Sequence, residues 1–389
     1  MAPSERSTVR LAQAASLLAL SACAMPTTPN HERALSDWTT FRGDLGRSGA
    51  RADAVALTEP ELAWSTDLGG TIESSPTVAH GIVYCGTFAN HLYALDAQTG
   101  EERWRFPVEG LVRASPSVVG DAVYFGADDN HFYCLDAHTG EVRWSLELGE
   151  GGEQSSPAIL EGVCYFGGFD HVVYAVDAAS GEIRWRYETG GAILSSPAVD
   201  GELLAIGSQD GRVYGLDARS GEERWRVETG DAVWSSPSFS NGAVYFGSDD
   251  GLVYAVEADS GEPRWTHPTG GAVFSSPVID TALERLYVGS DDHQLRALRL
   301  EDGELAWSAD LGGRVLGTPA LVGDTLYVGG EGSGGELPGA LFAVDRRSGE
   351  ILWRYEIGAT VWSSPTAAGA ALYFGAHDGM LRKLVQASR

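Results

Sequence analysis

The 389-residue sequence predicts an all-β protein: an eight-bladed β-propeller of four-stranded antiparallel blades, its ring closed by the N-terminal strand. Three observations predict it. Eight tryptophans recur at a near-constant interval, the segments between them repeat one pattern of strands and turns, and the last unit lacks an outer strand that the start of the chain has to spare.

Trp64, Trp104, Trp144, Trp185, Trp225, Trp265, Trp307 and Trp353 follow one another at 40, 40, 41, 40, 40, 42 and 46 residues. Between them runs one unit: Ser-Ser-Pro, an apolar stretch, a Gly-centred turn, Tyr-Phe-Gly, an acidic turn, Tyr-Ala-Leu-Asp-Ala, and Thr-Gly-Glu-x-x-Trp. Its proline recurs at Pro76, Pro116, Pro157, Pro197, Pro237, Pro277, Pro319 and Pro365. In the first unit, residues 77–80, 82–86, 92–97 and 102–106 are rich in β-branched and aromatic side chains and are separated by turn residues. Four such strands in about forty residues make a propeller blade. A stacked solenoid would need helices or one strand per short repeat, and neither is visible. The final unit stops at Leu384 without its outer strand, whereas Glu61-Leu62-Ala63-Trp64 carries the Trp without a preceding hairpin turn. Pairing the two removes an exposed sheet edge and sets the blade count at eight.

Seven segments keep the spacing Ala94-x-Asp96-x-x-Thr99-Gly100-Glu101-x-x-Trp104; the sixth departs most, with Arg299 and Asp302 in the Asp and Thr positions. Thr-Gly closes a hairpin in which Gly takes positive φ at little cost. The tryptophan that follows is aimed at the neighbouring blade, where a buried indole would remove roughly 150–250 Å² from water. These residues resemble the tryptophan-docking motif of quinoprotein-type, or PQQ-like, propeller repeats, over residues 62–384. Trp38-x-x-Phe41-Arg42-Gly43-Asp44 also resembles the lead-in segment of such proteins.

Composition agrees with many short strands: 50 Gly, 11 Trp and 14 Tyr. The formal net charge of -27, with Lys383 the single lysine, excludes a nucleic-acid partner and favours one with a basic face. Residues 1–22 read as a signal peptide, with Arg6 and Arg10 ahead of an apolar run, Leu11 to Leu20, too short to span a bilayer permanently. Leu20-Ser21-Ala22-Cys23 resembles the bacterial lipobox, which implies lipidation of Cys23; the alternative is an ordinary secretory signal cut at Ala22 or Ala24. Ala24 in place of Asp implies sorting to the outer membrane. Residues 23–36 are then a flexible tether and 37–389 the propeller.

Several motifs read as structural. Cys85, Cys134 and Cys164 are scattered with no C-x-x-C pair and are expected to be buried thiols. The acidic pairs Asp128-Asp129, Asp249-Asp250 and Asp291-Asp292 fall at one repeated turn position rather than together, as turn residues would. Asn90, Asn130, His171, Gly211, Gly251, His293 and Gly379 share a slot suited to left-handed φ, so His171 and His293 need no metal. His91 and His131 in the next slot read as solvated loop histidines. Gly330-x-Gly332-x-x-Gly335 leads into another strand and so lacks the helix a dinucleotide site requires. Arg42-Gly43-Asp44 reads as a coincidental adhesion tripeptide.

The resemblance also frames the function. Quinoprotein dehydrogenases of this family carry a vicinal cysteine pair over the quinone and a bound calcium, and many carry a C-x-x-C-H haem site; this chain has no Cys-Cys and no C-x-x-C-H. The expectation is a protein that is not an enzyme, with no cofactor and no metal. In length, lipobox, repeat class and blade count it resembles envelope lipoproteins of outer-membrane-protein assembly. This implies a lipid-anchored, monomeric scaffold at the periplasmic face of the outer membrane that binds a protein partner. The rivals are a PQQ-dependent oxidoreductase and a carbohydrate- or ligand-binding envelope sensor. One ring of positions does not repeat. Just before each Ser-Ser-Pro slot stand Glu73, Arg113, Gln154, Leu194, Trp234, Phe274, Leu316 and Trp362, a polar arc and then an apolar one. They are expected at the channel mouth. There Trp234, Phe274 and Trp362 would anchor a partner oriented by Glu73, Arg113 and Gln154, or the large side chains would plug the axis.

Overall fold

Each repeat lays down four strands from the axis outward. In the first blade these are Thr77–Ala79, Ile82–Thr87, His91–Asp96 and Glu102–Pro107, and every neighbouring pair is antiparallel. The computed structural model describes residues 37, 39–51, 56–152, 155–332 and 338–388. Among them eight such sheets are present. The expected closure holds: Pro60–Asp67 pairs with Met380–Gln386 as the outer strand of the eighth blade, with Trp64 opposite Lys383. The proposed lipobox, including Cys23, lies outside the described residues.

The repeated residues hold the blades together by one contact set. Tyr84, Ala94 and Trp104 are cross-strand partners and face the next blade. There the Trp104 indole N–H and the Tyr84 hydroxyl both donate to the Ala137 carbonyl, at 3.1 and 2.9 Å. A Cβ on Gly140 would stand 2.8 Å from the same indole, so this glycine serves both its φ of +73° and the ring packed on it. The outer strand bulges between Glu102 and Trp104. Arg103, at the bulge, bonds the Asp96 carboxylate at 2.7 Å, and the other Asp96 oxygen accepts the Gln98 and Thr99 amides. The spacing of the motif thus follows from one turn and one joint.

The indole bond recurs at all eight joints, and it closes the ring in two special ways. Trp353 donates to Leu57, ahead of the closing strand, at 2.9 Å. Trp64 donates to Ala97 at 3.3 Å, and that carbonyl also accepts Tyr373 and Lys383, the latter at 2.8 Å. The fourth blade has Ala205 in the tyrosine slot and Gly215 in the alanine slot. Trp225 sinks into the space: a Cβ on Gly215 would lie 2.1 Å from the indole. The sequence leads one to expect buried indoles throughout. Only Trp225 and Trp307 are buried, whereas the other six keep an edge in solvent because no further layer lies outside the outer strand.

The axis is not filled by the ring of large side chains. Residues 39–51 cross it, with Thr39, Leu45, Gly46, Ser48 and Gly49 offering carbonyls to the amides of Val118, Val199, Phe239, Ile279 and Leu321 on five innermost strands. Ala50–Arg51 extends the seventh blade as a parallel inner strand. Arg47, with no exposed surface, donates to the Pro197 and Ser156 carbonyls at 3.0 and 2.8 Å. Arg42 is buried and donates to Ser238 Oγ at 2.6 Å, so the arginine of the Arg42-Gly43-Asp44 tripeptide is turned into the ring and is not available to an adhesion partner.

Candidate functional site: the channel mouth

Above the axial segment, the second residue of each Ser-Ser-Pro slot forms a hydrogen-bonded circle. The backbone amides of Ser75, Ser115, Ser156, Ser196, Ser236, Ser276, Thr318 and Ser364 each donate to the hydroxyl of the corresponding residue in the next blade. The circle closes from Ser364 to Ser75 at 2.9 Å. A hydroxyl short enough to stay beside the backbone is needed at each position. This explains why the slot repeats while the residue before it is free to vary.

Those varying residues enclose a cavity of about 610 Å³. Glu73, Arg113, Leu194, Trp234, Phe274, Leu316 and Trp362 all line it, the serine circle lies beneath them, and Phe41 of the axial segment closes the base. Gln154 lies outside the described residues. Trp234 is 37% exposed and meets Phe274 edge to face, with ring centroids 5.6 Å apart. Trp362 meets His377 at 4.8 Å. Across the ring, Arg113 bonds Glu73 at 3.2 Å and Asp128 at 3.0 Å and lies 4.4 Å over Phe88.

A second varying ring supports the first and is absent from the sequence reading. The turn between the second and third strands of each blade begins with Phe88, Asp128, Phe169, Gln209, Asp249, Asp291, Glu331 or His377. The acidic pairs therefore split. Their second members are structural: Asp250 Oδ2 accepts the Gly230 amide and the Tyr254 hydroxyl at 2.7 and 2.6 Å, and Asp129 does the same for Glu109 and Tyr133. Their first members turn toward the mouth. Asp128 holds Arg113, and Asp291 and Glu331 flank Arg314. The signal that would have found them is the one that found the first ring, a slot that fails to repeat. It was masked because the neighbouring Asp does repeat.

The two rings alternate in polarity. Where the first is apolar, the second is polar: Leu194 with Gln209, Trp234 with Asp249, Phe274 with Asp291, Leu316 with Glu331, Trp362 with His377. The apolar arc thus has carboxylates behind it. Burial, with Asp231, Asp291 and Asp250 nearby, pushes the Asp249 carboxyl up to about 6, against a hydrogen bond from Trp234. Burial also raises Glu73, opposed by Arg113, and Asp291, opposed by Arg314, and it lowers His377.

The remaining candidates fall elsewhere. Asn90, Asn130, His171 and His293 have φ of 61°, 66°, 68° and 71°. His91 and His131 turn Nδ1 to the carbonyls of Ala89 and Asp129; His131 stacks on Tyr133, and His91 meets Tyr93 at a tilt. Among the described residues no cluster of His, Cys, Asp and Glu could hold a metal. Gly330 ends the strand Thr325–Gly330, and among the described residues the next element is the strand Ala340–Asp345. Gly335 lies outside the described residues. Cys85, Cys134 and Cys164 are buried thiols outside any disulfide, and burial pushes the Cys85 thiol up to about 12 and that of Cys134 to about 11. No cysteine lines the mouth, so the residues there do not fit a quinone seat built on a vicinal cysteine pair.

Comparison with known proteins bears on fold and family. BamB from Moraxella catarrhalis is similar over 84% of this chain and 99% of that one, with a TM-score of 0.69 and 18% identity. The quinohemoprotein alcohol dehydrogenase from Comamonas testosteroni is similar over 91% of this chain and 81% of that one, with a TM-score of 0.75 and 16% identity. The computationally designed Ika8 protein is similar over 82% and 97%, with a TM-score of 0.72 and 16% identity. At such identities the likeness is one of fold. No curated protein sequence matches the chain. The sequence profile of the outer membrane protein assembly factor BamB family matches residues 49–168, 133–238, 169–314 and 316–388. With nearly all of the propeller covered, the chain belongs to the family of the outer membrane protein assembly factor BamB.

Proposed function

We propose that this protein is a non-catalytic, lipid-anchored scaffold of the bacterial cell envelope that holds a protein partner at the channel mouth during outer-membrane protein assembly. One observation carries the reading. On a frame whose joints, turns and serine circle repeat from blade to blade, the side chains around the cavity do not, and they include three large aromatics. A rigid frame presenting aromatic side chains around a concave surface gives contact area at small entropic cost. The family relationship supplies the setting, and the lipobox-like segment at Cys23 supplies the attachment.

The test is capture from solubilised envelope. The full chain is expected to retain a component of outer-membrane protein assembly, identified by mass spectrometry. The Trp234→Ala, Trp362→Ala double variant is expected to lose it while its thermal midpoint stays close to wild type, since both side chains stand at an open cavity. Undiminished capture by the double variant would move the binding surface elsewhere. Stoichiometric retention of pyrroloquinoline quinone with calcium, and dye reduction with an alcohol, would establish an oxidoreductase instead.

A further inference from the structure

The charges at the mouth specify the chemistry of an occupant, given the reading above that the mouth is the binding surface. The cavity wall carries three charged side chains, Glu73, Arg113 and Arg314. Both arginines are already engaged. Arg113 lies between Glu73 and Asp128, and Arg314 bonds Glu331 with Asp291 at 3.7 Å. Five carboxylates, Glu73, Asp128, Asp249, Asp291 and Glu331, thus face two guanidiniums, leaving an excess of three negative charges when all are ionised. Asp249 has an enclosed Oδ1 with no hydrogen-bond partner, beside the exposed Trp234. Five aromatic rings, Phe41, Phe169, Trp234, Phe274 and Trp362, line the same space. Ring faces attract cations, and the attraction strengthens where water is excluded.

We propose that the cup receives a cationic side chain, a guanidinium or ammonium group carried on an extended segment of the partner protein, seated against Trp234 and Phe274 with Asp249 behind them. A cation there supplies the positive charge that the mouth lacks. A cavity of about 610 Å³ has room for that side chain and its flanking residues. An anionic occupant would meet two arginines whose hydrogen bonds are already directed to carboxylates. The net charge of -27 draws a basic segment toward the molecule from every side, and the mouth joins that field to a cavity lined by five aromatic rings.

The test uses the folded full chain, a blocked Gly-Gly-Arg-Gly-Gly peptide and its citrulline counterpart, which keeps the shape and removes the charge. Calorimetry and quenching of tryptophan fluorescence report binding. The arginine peptide is expected to bind about tenfold more tightly than the citrulline peptide at physiological salt. Asp249→Asn, which preserves shape, and Trp234→Ala should each weaken arginine binding by about fivefold or more. Asp249→Asn keeps the test valid if Trp234→Ala fails to fold. Equal affinity for the two peptides, no binding of either, or arginine binding undiminished in Asp249→Asn would each overturn the cation inference; the last would mark attraction to the acidic surface at large. None of these outcomes touches the scaffold reading, which is tested by partner capture with the full chain.

Discussion

Asp249 and Asp96 show how differently one residue type behaves on this frame. Asp96 sits at the exposed rim, where Arg103 and two turn amides hold it at about 2. Asp249 stands at the mouth, where burial and the carboxylates of Asp231, Asp291 and Asp250 hold it near 6. The folded protein therefore keeps a proton on Asp249 through a range in which an unfolded chain, with an ordinary carboxyl near 3.9, has lost it. Its contribution to stability falls as pH rises from about 4 to about 6, and the penalty is complete above that. Asp249→Asn removes this share. Expressed as the difference in thermal midpoint between variant and wild type, the effect should grow in the variant's favour from pH 4 to pH 7. A difference that stays flat across that range would show that Asp249 titrates normally.

Among the elements, the axial segment is the one whose role differs most from its appearance in sequence. Arg42 and Arg47 are both buried inside the ring and face backbone carbonyls of blades far away in the chain. Burial lowers Arg42 to about 9, helped by its neighbour Arg47, and lowers Arg47 to about 10, with Asp44 opposing both shifts; each remains a cation at neutral pH. Arg47→Met fills similar volume but leaves the Pro197 and Ser156 carbonyls without their donor. With each charged hydrogen bond worth roughly 1.5–3 kcal/mol, the variant should lose about 3 kcal/mol or more. Urea unfolding should show a lower midpoint. An unchanged curve would mean that the segment merely rests on the axis.

At the scale of the whole molecule, stability is distributed over eight joints of one design, and the closing joints are the ones that borrow parts. Leu57 stands in for a missing hairpin turn at one, and Lys383 adds a third donor to Ala97 at the other. The edge that Met380–Gln386 would otherwise expose is covered by Pro60–Asp67. In the proposed reading, attachment to the envelope rests on residue 23. Cys23→Ala should move the protein from the membrane to the soluble fraction after cell breakage, because stable anchoring needs two or more acyl chains and the substitution removes the site for them. Retention of the variant in the membrane fraction would place the anchor elsewhere.

Much of this architecture was legible because repetition reveals frame residues. A tryptophan, a glycine or a proline that recurs at forty residues does so because its neighbours recur, so blade count, strand order and closure by Pro60–Asp67 follow from spacing alone. The first ring at the mouth was legible for the converse reason, as the slot where repetition fails. The sequence could not place residues 39–51 on the axis, because their partners are backbone carbonyls and amides on blades distant in the chain, and backbone groups leave no trace in residue identity. Nor could it separate the paired aspartates. Asp249 and Asp250 are chemically identical neighbours, and the turn that points one at Tyr254 and the other at the mouth is a property of the folded backbone. The sequence by itself determined a closed eight-bladed ring, through local turns and periodic packing. Only the tertiary structure decided that the mouth is an open, aromatic and acidic cup, because that depends on which side chains meet across the axis.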